Sequence, residues 1–137
     1  MQVREAMSEA VLTIGPDHTL RAAAAAMLRR NVGAAVVLDP DAPGPGVITE
    51  RDILKAVGAG DDPDREHVAG HLTSDLTFAS PEWSLERAAA AMVRGRFRHL
   101  VVVDGGELAG ILSMRDIVRC WMQDGATSEA EAAARGA

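Results

Sequence analysis

The residue types best suited to chemistry occur twice, in one short arrangement: Thr49-Glu50-Arg51-Asp52 and Ser113-Met114-Arg115-Asp116. At a helix start, a hydroxyl followed three residues later by an acid is a capping-box pattern. The hydroxyl accepts from an orphan amide, and the acid reaches back to the amide of the cap residue. The box favours Glu or Gln in its last position, whereas both copies here carry Asp preceded by Arg. The same groups also suit a nucleotide. Free N–H groups and the positive end of the helix dipole favour phosphate, and one carboxylate can accept both hydrogens of a ribose diol. The pattern alone leaves two readings open: a cap and nothing more, or a cap that also grips a ligand.

Other candidates are weaker. No Ser/His or Cys/His set comes with a third orienting group, and the two Asp residues have one role twice rather than split acid and base roles, so no catalytic residue is expected. His67 and His71 are four apart but lack an evident third ligand, and Gly70 weakens a helix between them; no metal site is expected. Asp61, Asp62 and Asp64 lack the Gly and terminal Glu of a calcium loop and read as a solvated linker. The single cysteine, Cys120, excludes an internal disulfide and reads as a small buried apolar residue in a reducing compartment.

Composition narrows the partners. With 14 Lys plus Arg against 20 Asp plus Glu, the formal charge is −6, which disfavours a general nucleic-acid or anionic-membrane binder. Aromatic residues are 3% with no Tyr, too few to stack single-stranded bases. Phe97 and Trp121 therefore read as core or interface anchors. The N-terminus carries charge within its first five residues, and no apolar run approaches the ~18 residues of a membrane span, so a cytoplasmic protein is expected.

The elements that must position the two motifs are themselves duplicated. Residues 16–39 align with 81–104 at an offset of 65, identical at 11 of 24 positions, four of them Ala. After one extra loop residue in the first copy, 46–53 (GVITERDI) lies over 110–117 (GILSMRDI) at an offset of 64. Each copy reads the same way. A brief strand (11–14, 76–78) precedes a Thr19- or Ser84-capped helix with an apolar face, and a β-branched strand (34–38, 100–103) follows. A turn-rich segment then leads into a third strand and a second helix from Glu50 or Met114. The expected boundaries are 1–60 for the first repeat, 61–70 for a linker, 71–123 for the second repeat and 124–137 for a polar tail.

Two copies of strand-helix-strand-strand-helix, each closing on G-h-h-[ST]-x-x-D, resemble a tandem pair of CBS domains, the module of cystathionine β-synthase; VREAMSEAVLTI and RHLVVVDGGELAGILSMRDI strengthen the likeness. The resemblance implies an α/β (α+β) fold of two βαββα repeats packed as a pseudo-two-fold pair, without a catalytic domain of its own. It implies a regulatory role, with AMP, ADP, ATP or S-adenosylmethionine bound in a cleft between the repeats and no required cofactor. Asp52 and Asp116 would then contact ribose, Thr49 and Ser113 ribose or phosphate, and Thr13, Ile14, Val47 and Ile111 the base. Arg98 and His99, with Arg115 and its counterpart Arg51, would hold phosphate. Gly33 and Ala34 replace Arg98 and His99 in the first copy, so the two sites should differ. A homodimer through the apolar helix around Ile117, Val118, Trp121 and Met122 is also implied, as is signalling to a protein partner. The alternative is an interaction module whose motifs only cap helices.

Overall fold

A single turn of helix, α1 (Val3–Ala6), leads the chain in the computed structural model, which describes residues 1–123. The expected tail, 124–137, lies outside the described residues. The first copy comprises β1 (Thr13–Ile14), α2 (Leu20–Arg30), β2 (Ala34–Val37), β3 (Gly46–Thr49) and α3 (Glu50–Gly58). The second comprises β4 (Phe78–Ala79), α4 (Leu85–Gly95), β5 (His99–Asp104), β6 (Glu107–Ser113) and α5 (Met114–Gln123). Each copy contributes one three-stranded sheet, ordered β1-β2-β3 or β4-β5-β6, with the first pair parallel and the second antiparallel.

Local sequence explains the elements. Thr19 Oγ1 accepts from the Ala22 amide and Ser84 Oγ from the Arg87 amide, so the two long helices begin where N-cap residues stand. Both end on a left-handed residue, Asn31 (φ 53°) and Arg96 (φ 59°). The first strands are only two residues long and begin later than the apolar runs predicted, because only Thr13–Ile14 and Phe78–Ala79 find parallel partners. In the second copy, Gly105 and Gly106 both have positive φ (60° and 83°), the requirement of a tight two-residue hairpin turn. The β5–β6 ladder therefore runs on to Asp104↔Glu107, past a bulge at Val102/Val103.

Alternation along the strands separates two faces of each sheet. In the first sheet Ile14, Ala35, Val37 and Ile48 pack with Leu20, Ala23, Met27 and Ala56 of the helices. In the second, Ala79, Leu100, Val102 and Leu112 pack with Leu85, Ala88, Met92, Ile117 and Cys120. Small Ala side chains on α2 and α4 let each helix lie close to its sheet.

The described residues pack as two compact units. One unit joins residues 1–9 to residues 77–123; the other is the segment 10–76. The lead-in of each copy thus folds with the body of the other. Val3, fully buried, joins the core of the second copy's sheet, and Val68, its counterpart 65 residues later, that of the first. The hydrogen bonds repeat at the same offset. Val3 N–H donates to Trp83 O (2.8 Å) and Val68 N–H to His18 O (2.8 Å). Leu85 N–H donates to Met1 O (3.1 Å) and Leu20 N–H to Glu66 O (3.0 Å). The expected linker 61–70 is therefore structural: it carries a 3-10 helix, Val68–Gly70. It is also tied to α2 by Arg21, whose guanidinium donates to Asp64 and holds that exposed carboxyl below the ordinary aspartate range.

Candidate functional site

The motif glycines locate the doubled site. A Cβ on Gly110 would lie 2.6 Å from Ser8 O, and one on Gly46 would lie 2.9 Å from Leu72 Cδ1 and 3.2 Å from Thr73 O. Glycine at these positions admits the lead-in segments, which bridge Ile111 through Ser8 and Val47 through Thr73. Two strand residues further on, the chain turns into a helix at Thr49 or Ser113.

Both helix starts are capping boxes. Thr49 N–H and Thr49 Oγ1–H each donate to Asp52 Oδ2 (2.9 Å and 2.9 Å), and Asp52 N–H donates back to Thr49 Oγ1 (3.2 Å). Ser113 N–H donates to Asp116 Oδ2 (2.8 Å), and Asp116 N–H donates to Ser113 Oγ (3.0 Å). Glu50 N–H donates to Gly33 O (2.9 Å) and Met114 N–H to Arg98 O (2.8 Å). Three of the four orphan amides at each helix start are thereby satisfied, leaving those of Arg51 and Arg115 among the described residues. The expected row of free N–H groups is thus mostly used up.

The two carboxylates differ in their second oxygen. Asp116 Oδ1 accepts from Arg119 Nη2 at 2.6 Å, whereas Asp52 Oδ1 has no hydrogen-bond partner among the described residues. Lys55 stands in the first copy where Arg119 stands in the second, and forms no such bond. Thr49, Asp52, Ser113 and Asp116 are all half-buried, so each keeps access to solvent.

The structure brings several other predicted residues to these helix starts. His99 is the register partner of Ser113, as Ala34 is of Thr49, so Arg98 and His99 do stand beside the second motif. Arg98, Arg51 and Arg115 are exposed and His99 is half-buried. Thr13 and Val47 share the sheet face away from the helices, through register with Val36, and Ile111 lies on the matching face of the second sheet. Ile14 is not with them: alternation sends its side chain into the helix-covered core.

Other expectations also find their places. Cys120 is buried. Phe97 packs against the second core. On α5, Ile117 is core, whereas Val118, Trp121 and Met122 are exposed. His67 and His71 flank the 3-10 helix rather than sharing an α-helical face. His71 instead lies near Asp61 and Glu66, a grouping the sequence reading missed because it spans a turn with no regular period. Among the described residues no helix is long and apolar enough to cross a membrane.

A doubled α/β unit, each closing on a capped Ser/Thr-x-x-Asp helix start, defines a tandem-repeat module. The chain belongs to the CBS domain family, whose model matches residues 3–59 and 68–122. It is 33% identical over 116 residues to the CBS domain-containing protein YhcV of Bacillus subtilis, covering 84% of this chain and 81% of that one. It is 34% identical over 117 residues to a Methanocaldococcus jannaschii protein, covering 85% of this chain but only 41% of that one. A putative signal-transduction protein with CBS domains from Burkholderia ambifaria superposes with a TM-score of 0.85 at 27% identity, over 91% of this chain and 96% of that one. A CBS domain protein from Pyrobaculum aerophilum, solved in complex with AMP, does so with a TM-score of 0.76 at 33% identity, over 85% and 89%.

Proposed function

We propose that this chain is a cytoplasmic regulatory module rather than an enzyme, and that it takes an adenosine-containing ligand, AMP, ADP, ATP or S-adenosylmethionine, at its Ser/Thr-x-x-Asp helix starts. The spare acceptor on Asp52 carries the reading. Its Oδ2 closes the cap while Oδ1 keeps a half-buried lone pair for a sugar hydroxyl. The AMP-bound relative from Pyrobaculum aerophilum supports the ligand class.

In this reading Asp52 and Asp116 hold ribose, with Thr49 and Ser113 beside them. Arg98, His99 and Arg115 attract phosphate at the second start, and of these Arg115 alone has a basic counterpart at the first, Arg51. Thr13, Val47 and Ile111 offer the sheet face to the base; Ile14 offers it no side chain. Asp116 Oδ1 already accepts from Arg119, so a diol bound there shares that oxygen with a guanidinium that also stands close to the ligand. Ligand binding signals to a partner only so far as the ligand prefers one arrangement of the protein over another. The exposed apolar residues Val118, Trp121 and Met122 of α5 supply a contact face for a homodimer.

Calorimetry across the four ligands tests the proposal. At least one is expected to bind, with affinity lowered by Asp116→Ala; heat from none of them ends it. The completed capping boxes favour a second reading, in which the motifs only cap helices. Under it, substitutions at Asp52 or Asp116 change stability alone.

A further inference from the structure

We propose that Asp61, Glu66 and His71 form a binding site for one divalent transition-metal ion of the zinc type, independent of any nucleotide. One ligand atom from each of the three lies within 4.8 Å of the other two. His71 Nε2 and Glu66 Oε1 are 3.7 Å apart. Ligands on a tetrahedral zinc with bonds of ~2.0–2.1 Å are separated by roughly 3.3 Å, so small side-chain rotations close the set.

The charge around the trio points the same way. The segment carries four acids. Asp62 pairs with Arg65 (3.7 Å) and Asp64 with Arg21, so two are neutralised by arginines. Asp61 and Glu66 are not, and among the described residues they face one imidazole. Two carboxylates and a neutral imidazole match a dication in charge and leave a fourth position for water. The nitrogen donor selects the zinc type over Mg2+ and Ca2+, which prefer all-oxygen shells.

The backbone that presents these groups is already held. Asp61 N–H donates to Ala56 O (3.0 Å), closing the end of α3, and Glu66 N–H donates to Asp62 O (2.9 Å). His71 N–H donates to Val68 O (2.9 Å), beside the fully buried Val68 side chain. The His71 side chain is 20% exposed and that of Glu66 43%, so the trio is shielded yet open to an arriving ion. A bound ion clamps the end of α3 to the lead-in segment of the second copy, where that segment docks on the first copy's sheet.

The test uses the full chain, stripped with a chelator and free of nucleotide, titrated with Zn2+ against a chromophoric chelator. One ion per chain is expected. His71→Ala should weaken binding about 100-fold or more, since loss of supporting groups alone costs 10–100-fold. Asp61→Asn and Glu66→Gln should weaken it as well, and these near-isosteric changes carry the test if His71→Ala unfolds. His67→Ala and Cys120→Ser should leave it unchanged. The proposal is overturned if Zn2+ does not bind at micromolar concentration. It is equally overturned if binding survives all three trio substitutions, or if Ca2+ or Mg2+ displaces Zn2+ at equal concentration.

Discussion

Replacing Asp52 by Asn and, separately, by Ala separates capping from ligand recognition. Alanine removes the oxygen that accepts from both the Thr49 amide and the Thr49 hydroxyl. Loss of a cap costs about 0.5–2 kcal/mol. For a chain between the size classes with known scaling, that lowers the melting temperature by roughly 2–8 °C. Asparagine keeps one side-chain oxygen in the cap, so its melting temperature should stay within about 2 °C of the parent. What asparagine loses is the charge and the second acceptor, the Oδ1 that has no partner among the described residues. A hydrogen bond to a charged group contributes about 1.5–3 kcal/mol, so nucleotide affinity should fall roughly 10- to 150-fold. Paired thermal melts and calorimetric titrations of the three proteins read both effects. Unchanged affinity in Asp52→Asn, measured on a protein of parental stability, would refute a sugar-binding role for this carboxylate and leave the cap as its whole purpose.

Other outcomes follow from the packing. Gly95→Ala would put a Cβ 1.9 Å from Phe97 Cε1, and overpacking of this kind costs about 1–3 kcal/mol in denaturant unfolding. Phe97→Val should restore most of it, as the first copy pairs Arg30 with Val32 at these positions. Val68→Ala, in the lead-in that fills the first copy's core, should cost about 1–3 kcal/mol, and a fragment ending at residue 60 should show no cooperative melting. The Asp64 carboxyl is held low chiefly by its hydrogen bond from Arg21. Its contribution is therefore present above the unfolded aspartate value of about 3.9 and lost as pH falls through the lower folded value; Asp64→Asn should flatten that part of an acid-unfolding curve.

The repeat at offsets of 65 and 64, the capped helices and the hydroxyl-to-Asp motifs were legible in the chain because they depend on local spacing. Thr19, Ser84, Thr49 and Ser113 each cap a helix with an amide only three residues away, and an apolar stripe needs no knowledge of its partner.

Tertiary structure alone decided what was not local. The sequence could not show that Val3 serves the second copy's core and Val68 the first's, because duplicated segments of matching pattern fit either body equally well; long-range packing chooses between them. It could not tell which of Thr13 and Ile14 faces the helices, since a two-residue strand is too short to reveal it. Nor could it distinguish Asp52 from Asp116. The motif is shared, and the difference lies in whether a neighbouring guanidinium, free to rotate in an unfolded chain, is carried by the fold onto the carboxylate's second oxygen.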